Sequence, residues 1–488
     1  MKKTVFFALL LIIFFVFSPS DSQQIQPYPL EDSDPQSAET VSHFWVRTYD
    51  IDRYDEMGRG VRSINSTSDG GILISGSTNL RDWQLDIFIM KLDSNGRIEW
   101  QRLYGTDEED KPYGGVHETA DGGYIVVGFT MASVYGTHVV WVLKLTSFGD
   151  IEWQKTYGTG DAPDFPYASD LTSDGGLIIS GQTYSYGDYS DIWIFKLDSS
   201  GNIEWQRTYG GTSDVEESGN VIHQTIDGGY ILAGCTRSFG AGNLDYWVLK
   251  LDSFGDITWQ RTYGGEGLEL AYSILPTKDG GYIVGGRTES FGAGGNDCWI
   301  LKLSFYGEIE WQRAYGGVGD WDSCVAIIED DDGGYILGGA TNSFGAGRRE
   351  LWAMNLNSIG DILWQRTYGG RGIDYAHTIH KTADGSYVFA GTKIFGNRAL
   401  DLIILKLPLD GTIGETCEIV GSSDARVTET FVSPSDTNIR PTDTDVTPQI
   451  TDVSPEEILV TTNLLCEFQS ASPRWRRATR RVIPNRPK

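Results

Sequence analysis

Residues 271–317 read AYSILPTKDGGYIVGGRTESFGAGGNDCWILKLSFYGEIEWQRAYGG. Four apolar runs, 271–277, 282–288, 297–303 and 308–315, are each short and rich in β-branched and aromatic residues, the signature of strands. Asp279-Gly280, between the first two, supplies the positive φ that a tight hairpin demands. The turn between the last two takes the form Asp252-Ser253-Phe254-Gly255 in the preceding copy, with Gly in the left-handed position. We call the four strands a, b, c and d.

The unit recurs along the chain. Asp-Gly-Gly begins at Asp69, Asp121, Asp174, Asp227, Asp279 and Asp332, with Asp384-Gly385-Ser386 last, at spacings of 52 or 53 residues. A fixed period near 50 with four antiparallel strands per copy reads as a propeller blade. Closure separates a propeller from an open solenoid. Six repeats carry a strand-d tryptophan, Trp100, Trp153, Trp205, Trp259, Trp311 and Trp364, whereas the seventh runs on to Cys417 without one. Its missing strand stands at the other end of the chain, as Phe44-Trp45-Val46-Arg47-Thr48-Tyr49. The expected fold is all-β: a seven-bladed β-propeller of four-stranded blades over residues 43–420, closed by the N-terminal strand completing the last blade.

Three motifs carry a resemblance: Asp-Gly-Gly-Tyr-Ile at 279–283, Trp-Ile-Leu-Lys-Leu at 299–303 and Asp-x-x-Gly-x-x-x-Trp at 252–259. Over residues 43–416 the chain resembles secreted bacterial and archaeal β-propeller repeat proteins, a kelch-like or quinoprotein-like group. The last motif is similar to the tryptophan-docking motif of quinoprotein dehydrogenases, with one residue fewer between Asp and Gly. The resemblance implies the fold and little about activity, because propellers host many unrelated functions.

The flanks read differently. Lys2 and Lys3 precede an apolar run from Val5 to Phe17 that ends in Ser18-Pro19-Ser20, so residues 1–20 are expected to be a signal peptide. The mature protein is then secreted or held at the cell surface, an uncleaved anchor over the same run being the alternative. Residues 21–42 read as a linker, and 421–457, rich in Ser, Thr, Pro and Asp, as another. A short segment, 458–488, ends in a basic stretch. Of the net charge of −28, residues 1–20 hold +2 and 473–488 hold +7, which leaves −37 on the rest. A body so acidic repels nucleic acid and anionic membrane, so no nucleic-acid partner is expected, while the basic end is placed to contact anionic wall polymer, lipid headgroups or the acidic body itself. No second apolar run is long enough to span a bilayer after signal removal, and a monomer is expected. Of the five cysteines, Cys235, Cys298 and Cys324 fall in strands as small hydrophobes, while Cys417 and Cys466 either bridge or stay free.

Candidate chemistry is sparse. The strand-d tryptophans and Trp141, Trp193, Trp247, Trp299 and Trp352 of strand c are expected to pack blade on blade. Ten residues before the Asp-Gly-Gly turn stand Asp164, Glu217, Glu269, Asp322 and Asp374, with Arg59 and Lys111 in the first two repeats. These five are the candidate metal ligands: a partial ring around the axis would suit Ca²⁺. The preferred reading is structural, with Arg47, Arg207, Arg261, Arg313 and Arg366 of strand d folding in to pair with the carboxylates. A second acidic register opens strand c at Asp86, Asp191, Asp245, Asp297, Glu350 and Asp401. His117, His223 and His380 share one register, but they belong to blades two, four and seven, and a sevenfold ring is expected to keep them apart.

No nucleophile elbow, phosphate loop or zinc-protease motif is present, so no catalytic residue is assigned. The expected function is a non-catalytic extracellular scaffold that binds a protein or glycan partner through loops on one face. The variable stretches Thr106–Tyr113, Thr159–Tyr167 and Ser213–Glu217 nominate Asp107, Glu108, Asp110, Asp161, Asp164, Asp214 and Glu217 as ligand-binding residues. The alternative is a propeller enzyme, quinone-dependent or acting on polysaccharide. It would show one blade departing from the repeat with clustered titratable groups.

Overall fold

The computed structural model describes residues 43–50, 60–78, 84–132, 136–186, 190–211, 217–319, 321–345, 348–369, 373–395 and 399–413, together with seven strands between 420 and 469. The expected signal peptide 1–20, the linker 21–42, Arg59, Asp214, Cys417 and the basic stretch 473–488 lie outside these residues.

The chain is a seven-bladed β-propeller. In the fifth blade strand a is Glu269–Pro276, b Tyr282–Thr288, c Asp297–Leu303 and d Ile309–Gly316, hydrogen-bonded in that antiparallel order. The seventh blade takes a, b and c from Ile373–Lys381, Tyr387–Phe395 and Ala399–Leu407, and its d strand is His43–Asp50 from the start of the chain. Val46 lies opposite Leu405 there, so the ring closes as the displaced tryptophan strand indicates.

Seven apolar clusters hold the ring, one at each junction between neighbouring blades; Trp299 and Leu301 of the fifth blade, for instance, pack on Val248 and Tyr263 of the fourth. The strand-c tryptophans are fully buried, each worth a few kcal/mol at ~200 Å² removed from water. Those of strand d are only half-buried apart from Trp45, because the rim of the ring is near. Polar stitches cross every junction as well. The strand-d tyrosine donates its hydroxyl to a glycine carbonyl in the next blade's c–d turn, as from Tyr263 to Gly307 at 2.6 Å and from Tyr368 to Gly411 at 2.5 Å. Tyr49 does so to Gly96 at 2.7 Å, across the junction from the seventh blade to the first. Gly307 sits at φ 76°, and a Cβ there would approach the Trp259 ring to 2.9 Å, so the turn needs glycine twice over.

The tail is not a free linker. Every blade has a fifth, outermost strand, drawn from residues 420–469 and paired antiparallel to strand d. Val420–Ser422 lies on the sixth blade, Arg426–Glu429 on the fifth, Ser435–Asp436 on the fourth and Thr442–Asp443 on the third. Gln449–Ile450 and Glu456–Glu457 follow on the second and first, and Thr461–Gln469 ends on the seventh, covering the closing strand. The tail circles the rim against the order of the blades. Its Pro- and Thr-rich composition reads as linker because two-residue strands leave no alternation to see.

Candidate functional site: the mouth of the central channel

The innermost strands a line a central channel with a cavity of about 350 Å³, opening into a mouth of about 460 Å³ on the face that carries the d–a and b–c loops. Each strand a carries a β-bulge near its start. In the fifth blade the register with strand b slips between Ala271 and Ser273, which leaves Tyr272 without an opposite residue. The same slip singles out Arg62, Tyr167, Asn220, Val325 and His377 in other blades. In the second blade a longer irregularity between Lys111 and Gly115 contains Tyr113. These residues line the mouth, one from each blade, because a bulged residue turns out of the ladder and faces the axis.

The ring is braced from behind. The Arg62 guanidinium stacks 4.2 Å from the Tyr113 ring centroid and donates to its hydroxyl at 2.9 Å. Tyr167 donates to Gln182 Oε1 at 2.9 Å, Asn220 to the Ala271 carbonyl at 2.8 Å, and His377 Nε2 lies 2.9 Å from Thr392 Oγ1. Two aromatic groups flank the ring. Phe129 sits edge-on to Tyr113, His138 and Phe165 at centroid distances of 5.2, 4.9 and 5.3 Å. Near Tyr272, Trp321 is held by Arg287 at 4.0 Å and Arg349 at 4.7 Å.

Deeper in the channel lie His117, His223 and His380, which the structure brings into one lining although their blades are spaced unevenly. The channel is narrow enough for them to influence one another electrostatically, His223 lowering His117 and His117 lowering His380. Burial, with Arg62 beside it, holds His377 down to about 4, and burial with His117 does the same for His380. His117 Nε2 is 2.8 Å from Ser169 Oγ, and His223 Nδ1 is 3.3 Å from Asp170 Oδ2. Among the described residues no three His, Cys, Asp or Glu side chains are placed to hold a metal ion.

The sequence-nominated carboxylates are elsewhere. Asp164, Glu217, Glu269, Asp322 and Asp374 start their strands a as expected, yet they are buried between blades and none lines the channel. Thr288 donates to Glu269 at 2.8 Å and Thr236 to Glu217 at 3.0 Å, while Lys393 pairs with Asp374 at 3.0 Å. The expected pairing with the strand-d arginines is overturned. Arg207, Arg261 and Arg313 bond Asp256, Glu308 and Asp361 in the next blade's c–d turn at 2.6 to 2.7 Å, since strand d lies at the rim and the carboxylates near the hub. In the second blade the register belongs to Asp110 rather than Lys111, because that strand a has one residue more in its bulge: Asp110 lies opposite Thr130 as Asp164 does Thr183. Of the loop candidates, Asp107 and Asp161 are exposed and Glu108 half-buried, whereas Asp110, Asp164 and Glu217 are enclosed and cannot meet a ligand from solvent.

A second carboxylate faces several of these across the junction. A Cβ on Gly316 would collide with Asp297 Oδ1 and come within 2.9 Å of Asp322 Oδ2, so both carboxylates crowd the same glycine. Asp297 also caps its b–c loop, accepting from Ala293 N at 2.7 Å and Gly294 N at 3.0 Å. Burial raises Asp191 to about 6, and burial with Asp191 nearby raises Glu217 to about 7.

The mouth ring was open to inspection in one way. Seven residues before the turn Asp, eight in the second blade, stand Arg, Tyr, Tyr, Asn, Tyr, Val and His, a register of unlike residues inside a regular repeat. Tyr113 and Tyr167 close two of the variable stretches named from sequence, but the nominated residues there were their carboxylates.

No family model and no curated protein matches the chain. Among solved structures, a protein of unknown function from Dyadobacter fermentans DSM 18053 is similar at 12% identity, covering 75% of this chain and 100% of its own, with a TM-score of 0.38. The tail fiber of Staphylococcus aureus phage P68 is similar at 11% identity over 75% of this chain and 53% of that one, with a TM-score of 0.28. At these scores neither bears on function.

Proposed function

We propose that this protein is an extracellular, non-catalytic scaffold that binds an acidic glycan at the loop-bearing mouth of its channel. One observation carries the reading. The chain has 67 Asp and Glu against 39 Lys and Arg, yet no carboxylate belongs to the described lining of the channel or its mouth, while Arg62 and four of the six histidines do. Asp170, next to the lining residue Ser169, is held by His223 and by the Gln224 amide at 3.0 Å. An anion is repelled by the acidic outer surface and accepted at the mouth, where Arg62 supplies a fixed positive charge. Tyr113, Tyr167 and Tyr272 add flat apolar faces with a hydroxyl at the edge, which suits a sugar ring better than an aliphatic acid. The mouth volume of about 460 Å³ is that of a small-ligand site, not a protein–protein surface.

Titration calorimetry with an oligogalacturonate and with a neutral cello-oligosaccharide tests this. The acidic ligand is expected to bind and Arg62→Ala to weaken it about tenfold, which is about 1.4 kcal/mol. Binding of both sugars alike would remove the acidic preference, and binding of neither would remove the glycan reading.

A further inference from the structure

The tail contains a second repeat, of seven residues, whose phase matches the blades. Aligned on the residue opposite the strand-d base, its members are Ser422, Glu429, Asp436, Asp443, Ile450 and Glu457, facing Arg366, Arg313, Arg261, Arg207, Lys155 and Arg102. Leu464 opposite Arg47 completes the round. Each member is seven residues from the last. The sequence shows the same period independently of the pairing: PSDTNIR at 434–440, PTDTDVT at 441–447, PQITDVS at 448–454 and PEEILVT at 455–461. Proline stands immediately before each two-residue strand, where a missing N–H costs the ladder nothing and the fixed φ keeps the chain extended.

We propose that the outer edge of each blade is a peptide-docking site of one specificity, and that the tail is its ligand, bound seven times by one heptad each. The site reads an extended segment through main-chain hydrogen bonds to strand d. It prefers an acidic residue in register with the strand-d base, a placement found in four of the blades: Glu429 opposite Arg313, Asp436 opposite Arg261, Asp443 opposite Arg207 and Glu457 opposite Arg102. A single two-residue strand binds weakly. Seven joined at the spacing of the blades act together, because each docked heptad holds the next at high effective concentration. The last and longest, Thr461–Gln469, falls on the N-terminal strand that closes the ring, so the strap fastens the one seam that the chain does not cross covalently.

The test uses the whole folded chain with a protease site placed between residues 413 and 420, cut after folding. On gel filtration the cut tail is expected to stay with the propeller. Excess synthetic peptide of the natural 420–469 sequence should displace it, whereas the same composition with the seven-residue phase scrambled should not. A peptide of residues 434–440 alone should compete only at concentrations at least ~100-fold higher, as loss of avidity requires. Release of the tail on cutting, or displacement by the scrambled peptide as readily as by the natural one, would overturn the proposal.

Discussion

The propeller body and its tail are both sevenfold, but they are held by different forces. A blade of the body buries a strand-c tryptophan and a strand-d tyrosine against its neighbour, and its half-buried strand-d tryptophan donates to the next turn, as Trp259 does to the Phe305 carbonyl at 3.1 Å. A heptad of the tail contributes main-chain pairing at a rim and, in four of the blades, an acidic residue in register with the strand-d base. Body repeats are therefore expected to be strong singly, while tail repeats are strong only in series. The difference teaches that repeat number can be shared between two parts of a chain while repeat length is set by geometry. About fifty residues make a four-stranded sheet, and seven extended residues cover no more than ~25 Å of rim.

The largest effect should come from the seam. Deleting residues 21–50 removes strand d of the seventh blade and is expected to lower the melting temperature far more than deleting 420–488, which leaves every four-stranded blade whole. Equal melting temperatures for the two truncations would show that the belt, not the closing strand, keeps the ring shut. Next in size is a stitch within the body. Tyr263→Phe leaves the Gly307 carbonyl unmet inside the junction and should cost about 1–2 kcal/mol in urea denaturation.

Proton linkage among the body's buried carboxylates gives an intermediate effect. Asp191 at about 6 and Glu217 at about 7 bind protons more tightly when folded than the ~4 of an unfolded carboxylate. Their contribution is complete below pH ~4 and is lost as pH rises through 6 to 7. The turn aspartates act oppositely. Burial works against the charged form of Asp69 and Asp279, but hydrogen bonds from Lys91 and Lys302 and from the neighbouring threonines bring both to about 2, so their stabilisation is lost as pH falls from ~4 towards 2. The melting temperature should peak near pH ~4–5 and fall on both sides. Glu217→Gln should flatten the limb above the peak, and an unchanged limb would assign it to other groups.

Smaller still is the response to metal removal. Each strand-a carboxylate already has a hydroxyl, amide or ammonium partner, so EDTA is expected to leave the melting temperature where it was; a fall restored by Ca²⁺ would return the cation to the junctions. The smallest effect is a single tail charge. Asp436→Asn should change stability by only a few tenths of a kcal/mol, the usual scale for one charge at a rim. A loss above about 1 kcal/mol would mean that one heptad is strong alone, against the contrast drawn here.

The blades were legible because their marks are conformational. Asp279-Gly280 and Asp252 to Gly255 recur wherever the backbone must turn, and Trp311 recurs wherever a blade must meet the next. The mouth ring was hidden because a bulge belongs to a pair of strands, and nothing in Tyr272 itself announces that it has no opposite residue. The carboxylates were visible as a register but not in their partners: Arg313 and Asp322 each belong to a recurring position, yet one lies at the rim and the other at the hub. The tail misled for a compositional reason, since Pro, Thr and Asp signal a chain that cannot bury a core, and this one docks on a core already made.

The sequence by itself determined the number of blades, the order of their strands and the seam, because repeat spacing and a displaced tryptophan strand are properties of the chain read in one dimension. Only the tertiary structure decided which side chains face the axis, which acids meet which bases and where the tail lies. Those depend on distances between strands that the chain visits dozens or hundreds of residues apart, and pairing at such range is fixed by the closed ring rather than by any local preference.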